Sequence, residues 1–319
     1  MRTTYEKILK ASQKLQNIAH TTPLLTSRTL NELTGFEVYI KAENFQRVGA
    51  FKFRGAYNAI SKLTPEQRSK GVITHSSGNH AQAIALAGKL FNTKTVIVMP
   101  KNAPEVKVQA TRGYGAKIVF SEPSVKSREE TTDKLIKENG YAFIHPYNNN
   151  DVIEGQGTAT IEVLDALGSV DAIITPVGGG GLLSGTSIVS KESKKIKYVF
   201  GAEPEQADDA FRSFKEKKLI LEGTPNTIAD GLRTYLSELT FGYISKYVDN
   251  IITVSEQEII EAMKFLFERM KIVVEPSGAV PLAALIKLSK TTSPLPAGAK
   301  VVCIISGGNI DLTEFFKKF

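Results

Sequence analysis

Four short glycine-centred stretches carry the side chains most able to do chemistry in this sequence. Gly178, Gly179, Gly180 and Gly181 follow the apolar run DAIITPV and precede LLSGTSIVSK. Successive residues without side chains leave their backbone N–H groups unobstructed. A helix starting there adds its positive end, so the stretch suits a phosphate. A flexible glycine turn is the plainer reading. Two better-known phosphate loops are excluded. A P-loop needs Gly-Lys-Ser/Thr, and here Leu182 and Leu183 follow. The dinucleotide pattern G-x-G-x-x-G would put Leu183 or Ser184 at its last glycine.

The other three stretches are GAFKFRGA (49–56), HSSGNHAQ (75–82) and ISGGN (305–309). In the first, Lys52 stands between Phe51 and Phe53. Apolar neighbours lower a lysine's pKa and make its amine a nucleophile or Schiff-base partner, although a lone lysine is usually a surface residue. In the second, Ser76, Ser77, Asn79 and His80 gather at a helix N-terminus, as ligand contacts or as plain N-caps. In the third, Ser306 offers a hydroxyl in a tight turn, or the segment is only a loop.

These stretches need strand–helix junctions to hold them, and the rest of the chain supplies these. Apolar runs at 37–42, 71–75, 95–100, 116–120, 171–177, 198–203 and 301–306 alternate with stretches whose apolar residues recur every three or four positions. The runs are nearly continuous in β-branched and aliphatic residues. Strands buried on both faces of a parallel sheet read that way. The expected fold is α/β, with two domains and parallel-rich twisted sheets flanked by helices. In open sheets of this kind ligands collect at the carboxyl ends of the strands. No Ser/Pro-rich linker or low-complexity segment marks a boundary, so the domains are expected to interleave.

The 319 residues carry a net charge of +7 with 23% charged residues. The densest basic stretches, 191–197 and 215–218, are short and mixed, which speaks against a nucleic-acid partner. The single Cys303 lies inside VVCIIS and predicts a buried thiol in a reducing compartment. The polar, amphipathic start lacks a signal core, and no apolar run reaches a membrane span. A cytoplasmic protein without an appended regulatory domain is expected.

Singly these features are weak, but together they resemble one family. ENFQRVGAFKFRGAYNA, HSSGNHAQAIALA, VIEGQGT, VGGGGLLSG, IADG and ISGGNID occur in the order found in pyridoxal-phosphate enzymes of the tryptophan synthase β-subunit fold. The similarity is to the serine racemase and serine/threonine dehydratase branch. It implies a large domain of residues 1–49 plus 146–319 and a small mobile domain of 50–145. It implies that Lys52 carries pyridoxal 5'-phosphate as an internal aldimine. Phe51 and the Gly231 backbone would flank the ring, Asn79 would bond its phenolic oxygen, and Gly178 to Gly181 would hold its phosphate. Ser306 would face the pyridine nitrogen. A neutral partner there leaves a weaker electron sink, suited to reprotonation or to loss of a β-hydroxyl.

By the same resemblance Ser76, Ser77, Asn79 and His80 meet the substrate, and Arg128 lies near it. Ser77 stands where catabolic threonine dehydratases typically have alanine, which favours racemase activity through a second proton donor. GAEPEQADD (201–209) is similar to the branch's divalent-cation site, with Glu203, Asp209 and the Ala207 carbonyl offering hard oxygens to Mg, Mn or Ca. An acidic surface loop is the plainer reading. Arg28, Arg47 and Val48 depart from the ATP-responsive racemases, while Tyr114, Lys271 and Asn309 match, so ATP activation is not expected. The expected protein is a homodimeric serine racemase with dehydratase activity on small amino acids. The alternatives are a threo-3-hydroxyaspartate dehydratase, with Arg233 as partner for the second carboxylate, and a non-catalytic phosphate-binding module.

Overall fold

The computed structural model describes residues 2–103, 105–291 and 293–311. Among these the strands are Leu24–Thr26 (β1), Glu37–Ala42 (β2), Val72–His75 (β3), Thr95–Pro100 (β4), Lys117–Ser121 (β5), Ala142–Phe143 (β6), Val170–Pro176 (β7), Ile196–Pro204 (β8), Asn250–Val254 (β9) and Lys300–Ile305 (β10). The helices are Tyr5–Leu15 (α1), Arg28–Thr34 (α2), Lys52–Ser61 (α3), Pro65–Lys70 (α4), Asn79–Leu90 (α5), Glu105–Gly113 (α6) and Val125–Asn139 (α7). They continue with Asn150–Leu167 (α8), Gly181–Ser193 (α9), Asp209–Glu216 (α10), Glu238–Tyr247 (α11), Glu256–Met270 (α12) and Pro276–Ser289 (α13).

The strands form a six-stranded sheet in the order β1-β2-β10-β7-β8-β9 and a four-stranded sheet in the order β5-β4-β3-β6. Every pairing is parallel except that of β1 with β2. The α/β, parallel-rich reading of the sequence therefore holds. Its physical basis is visible residue by residue, because side chains alternate across a strand. In β10, Val301, Cys303 and Ile305 enter one core while Val302 and Ile304 enter another. In β4, Ile97 and Met99 face α3 and α5, and Val96 and Val98 pack toward α7. Strands buried on both faces have no polar alternation to show.

Three strands carried no such signal. β1 and β6 are two or three residues long, and β9 is an edge strand only partly buried. The run at 116–120 does form a strand, but β5 is also an edge, and Phe120 stands 42% exposed. Cys303 is buried and unbridged, and burial pushes its thiol far above the usual range. No described helix is long and apolar enough to cross a membrane.

The four glycine-centred stretches all follow this architecture. Gly178–Gly181 lies between β7 and α9, Ser76–Gly78 between β3 and α5, and Ser306 directly after β10. Lys52 opens α3, whose approach is stitched to the end of β10: Ala50 bridges Gly307, and Phe51 N donates to Ser306 O at 3.0 Å.

Candidate active site

Lys52 is not a surface lysine. Its Nζ donates to the Pro146 carbonyl at 3.2 Å and stands 5.0 Å from the Phe51 ring centre. Burial lowers its pKa to about 8, partly opposed by the carboxylate of Glu275. A neutral amine is therefore within reach near physiological pH, as a Schiff-base partner or a base requires. The turn that delivers it is strained, since Val48, a β-branched residue, adopts φ 58°.

The SSGN loop is not a capping motif. The N-cap of α5 is Gly78, and no side chain caps that helix. Ser76 Oγ instead accepts from Gly78 N at 3.3 Å, while Ser77 is half-buried. Asn79 is held at both ends of its amide. Its Nδ2 donates to Glu275 Oε1 at 2.7 Å, and its Oδ1 accepts from Asn309 Nδ2 at 2.8 Å. His80 Nε2 meets the Ile144 carbonyl at 3.2 Å, which can only accept, so Nε2 carries the proton. Burial and the charge of Lys52 keep this imidazole neutral. Its Nδ1 is then an acceptor, so the donor that His80 retains for an anion is its backbone N–H in the first turn of α5.

Gly178–Gly181 forms a close-walled cradle at the start of α9, an end that no side chain caps. A Cβ on Gly178 would lie 3.0 Å from the Gly231 carbonyl, and one on Gly179 would collide with the Tyr147 ring. Gly180 has φ 83°, a left-handed conformation that favours glycine. Gly231 is drawn in by its N–H bond to Ser277 Oγ at 3.0 Å. Pro146, which accepts from Lys52, is followed by Tyr147, whose ring lies against Gly179. Uncapped N–H groups at a helix start and a buried amine fit the phosphate and aldehyde ends of pyridoxal phosphate.

Sequence reasoning passed over one wall of the site. His75, His145 and Tyr147 stack edge to edge, with His75–His145 at 5.8 Å and His145–Tyr147 at 4.6 Å between ring centres. Burial first, then nearby positive charge, holds both imidazoles down at about 4: the Arg128 guanidinium acts on His75, and His75, Lys52 and Arg128 act on His145. Arg128, on α7, is thus beside the site, and its Nε is buried without a partner. Glu275 was missed as well. It is the N-cap of α13, 4% exposed, and burial beside Asp230 raises its carboxyl to about 8. An acid inside the apolar stretch VVEPSGA was the one sequence signal for it.

Glu203 and Asp209 are buried, at 0% and 2% exposure, so 201–209 is not simply an acidic surface loop. Glu203 accepts from Ala210 N at 3.1 Å and Phe211 N at 2.8 Å. Asp209 Oδ2 accepts from Leu236 N at 3.2 Å, and its Oδ1 is buried without a partner. Burial raises Asp209 to about 7 and, with Asp209 beside it, Glu203 well above its usual range. An orphaned carboxylate oxygen next to a second buried acid fits a hard cation. Among the described residues no cluster of three metal-ligating side chains occurs, so backbone oxygens such as that of Ala207 would have to complete the shell. Arg233 is exposed, and its Nε and Nη2 donate to the Thr227 carbonyl of its own loop.

The sequence model of the family described as "Pyridoxal-phosphate dependent enzyme" matches residues 15–307. The chain is 49% identical to L-threo-3-hydroxyaspartate ammonia-lyase of Saccharomyces cerevisiae, covering 98% of this chain and 95% of that one. It is 47% identical to serine racemase of Dictyostelium discoideum, covering 98% and 97%. Among solved structures, maize serine racemase superposes with a TM-score of 0.95 at 40% identity, covering 99% of this chain and 97% of the other. The fold is that of the tryptophan synthase β-subunit group. The chain belongs to the pyridoxal-phosphate-dependent enzymes, in the group that holds serine racemases, threonine deaminases and hydroxyaspartate ammonia-lyases.

Proposed function

We propose that the protein is a serine racemase that also eliminates water from serine and threonine, giving from serine pyruvate and ammonia. The observation that carries this reading is a buried lysine amine lowered to about 8, near enough to His80 to lower its pKa, where His80 follows a serine loop whose hydroxyls are not spent on capping a helix. Bound pyridoxal phosphate supplies an electron sink for the bond broken at Cα. Gly178–Gly181 binds its phosphate, and the second N–H of Asn79 reaches its phenolic oxygen. Ser306 meets the pyridine nitrogen with a neutral hydroxyl, while Phe51 and Gly231 flank the ring. Ser76 and the first-turn N–H groups of Asn79 and His80 hold the substrate carboxylate. Lys52 Nζ takes the α-proton from one face of Cα, and Ser77 Oγ delivers one to the other. Where the β-hydroxyl is expelled before that second proton arrives, the proton that Lys52 Nζ has taken goes to the leaving oxygen, which departs as water.

Glu203, Asp209 and the Ala207 carbonyl bind a divalent cation in this reading. Residues 50–145 close over the substrate, and the working form is a cytoplasmic homodimer. Incubation with L-serine, followed by chiral separation and a keto-acid assay, tests the proposal. D-serine together with pyruvate is expected, and pyruvate alone would remove the racemase half.

A second reading, hydroxyaspartate ammonia-lyase, is favoured by Arg128. Its buried, unpartnered Nε would be satisfied by a second carboxylate. Turnover of threo-3-hydroxyaspartate well above that of serine would select it.

A further inference from the structure

The EGQGT segment of α8 has no role in the chemistry above, yet it touches both helices that begin at the cofactor. Gly155 and Gly157 are two residues apart, so they point about 200° apart round the helix. On one side, a Cβ on Gly155 would stand 2.6 Å from Gly55 Cα, against the backbone of α3. On the other, a Cβ on Gly157 would stand 3.0 Å from the Gly185 carbonyl, and one on Gly185 would stand 2.6 Å from Gly157 N, against the backbone of α9. Each contact lies one turn in from an anchor: Gly55 is three residues beyond Lys52, and Gly185 four beyond Gly181.

The α3 side is fastened further. Arg54, 1% exposed, grips Glu162 of α8 with Nη1 at 2.6 Å and Nη2 at 2.9 Å, and Glu43 with Nε at 2.7 Å. Helix α3 can therefore neither roll nor slide on α8 without breaking buried charge pairs, which is costly.

We infer that α8 is a spacer. Its two opposed glycines set the separation of Lys52 from the Gly178–Gly181 cradle, so that one rigid cofactor reaches both. The aldehyde and phosphate arms of pyridoxal phosphate leave neighbouring ring atoms, so their separation has little play. Two anchors at the right spacing bind one ligand far more tightly than either alone, and that gain is lost when the geometry is wrong. Gly155 and Gly157 are positioning residues in this scheme. The inference rests on Lys52 and the cradle being the two anchors.

The test compares three probes on the full chain freed of cofactor: pyridoxal phosphate, pyridoxal without its phosphate, and inorganic phosphate. The first two are read by visible absorbance and the third by thermal shift. In Gly155→Ala and Gly157→Ala, pyridoxal phosphate affinity should fall roughly 100-fold. Pyridoxal and inorganic phosphate should each stay within about threefold of native. Gly242→Ala, a helical position with open space round its Cβ, should leave all three unchanged. Gly157→Ala is the milder change, since its first neighbour is the flexible end of Ile8, and it carries the test if Gly155→Ala does not fold. Native-like affinity for pyridoxal phosphate in the variants overturns the inference. So does a parallel loss for all three probes, which marks damage to the anchors or the fold rather than to their spacing. Lys52→Ala with native absorbance would remove an anchor, and the inference with it.

Discussion

Asn79 and Glu275 join the two sheets across the site: the Asn79 amide, at the head of α5, donates a 2.7 Å hydrogen bond to Glu275 Oε1, at the head of α13. The bond uses one of two N–H groups and leaves the other free to point at a ligand. Glu275 itself is caught between opposing effects. Burial and Asp230 raise its pKa, while Lys107 and the Asn79 bond lower it, and it rests at about 8.

That value makes a prediction for Glu275→Gln. An unfolded glutamate titrates near ~4.3. Between there and about 8 the folded chain holds a proton that the unfolded chain has lost. Stability contributed by this group is therefore lost as pH rises through that window. The glutamine keeps an acceptor for Asn79 and removes the titration. Melting temperatures at the two ends of the window should fall more steeply with pH in the native protein than in the variant. Equal slopes would show that Glu275 is an ordinary exposed-type acid.

Lys52→Ala should abolish the visible absorbance of bound cofactor and cut turnover by roughly 1000-fold or more, because covalent anchor and base are lost together. The substitution leaves the Arg54 clamp in place, so the folded state should persist. An active variant with its absorbance intact would refute the assignment.

How far the sequence could be read depends on what each residue's neighbours in the chain reveal. The buried strands were legible because both faces are apolar, as Val301 through Ile305 show. The glycine stretches were legible because close approach admits no other residue, as at Gly179 against Tyr147. The short or edge strands β1, β6 and β9 lacked the apolar run that marks the others. Glu275 and His145 escaped for a different reason. Their environment is made by Asn79, Asp230, His75 and Arg128, distant in sequence, so no local pattern announces a buried acid or a neutral imidazole. Nor does anything local tell that Arg233 donates to the Thr227 carbonyl.

The 201–209 segment predicts cation-linked behaviour. Glu203 and Asp209 must shed their protons to bind a cation, and Asp209 sits at about 7. Cation affinity should therefore strengthen as pH rises through neutrality. Magnesium or calcium should raise the melting temperature of the native protein, as a ligand of the folded state does. Glu203→Ala and Asp209→Ala should each blunt that rise. If a chelator leaves both melting and activity of the native protein untouched, the cation reading of these residues is wrong.

Ser77→Ala tests the mechanism most finely. If Lys52 serves one face of Cα and Ser77 the other, the two enantiomers of serine depend on different groups. Without the hydroxyl, Lys52 can still take the proton of L-serine, so its dehydration should persist. D-serine formation should fall by roughly 100-fold or more, since nothing remains to deliver a proton to the opposite face. Dehydration of D-serine should fall with it. Loss of a helix cap would cost about 1 kcal/mol and weaken both enantiomers' turnover alike. The geometry already weakens that rival, because α5 is capped by Gly78 with no side-chain bond. Stability should accordingly change by no more than about 0.5 kcal/mol. The deciding quantity is the ratio of L- to D-serine turnover in folded, cofactor-loaded protein. A ratio equal to the native one would mean that Ser77 is not the second proton donor, and the racemase half of the proposed function would lose its chemical basis.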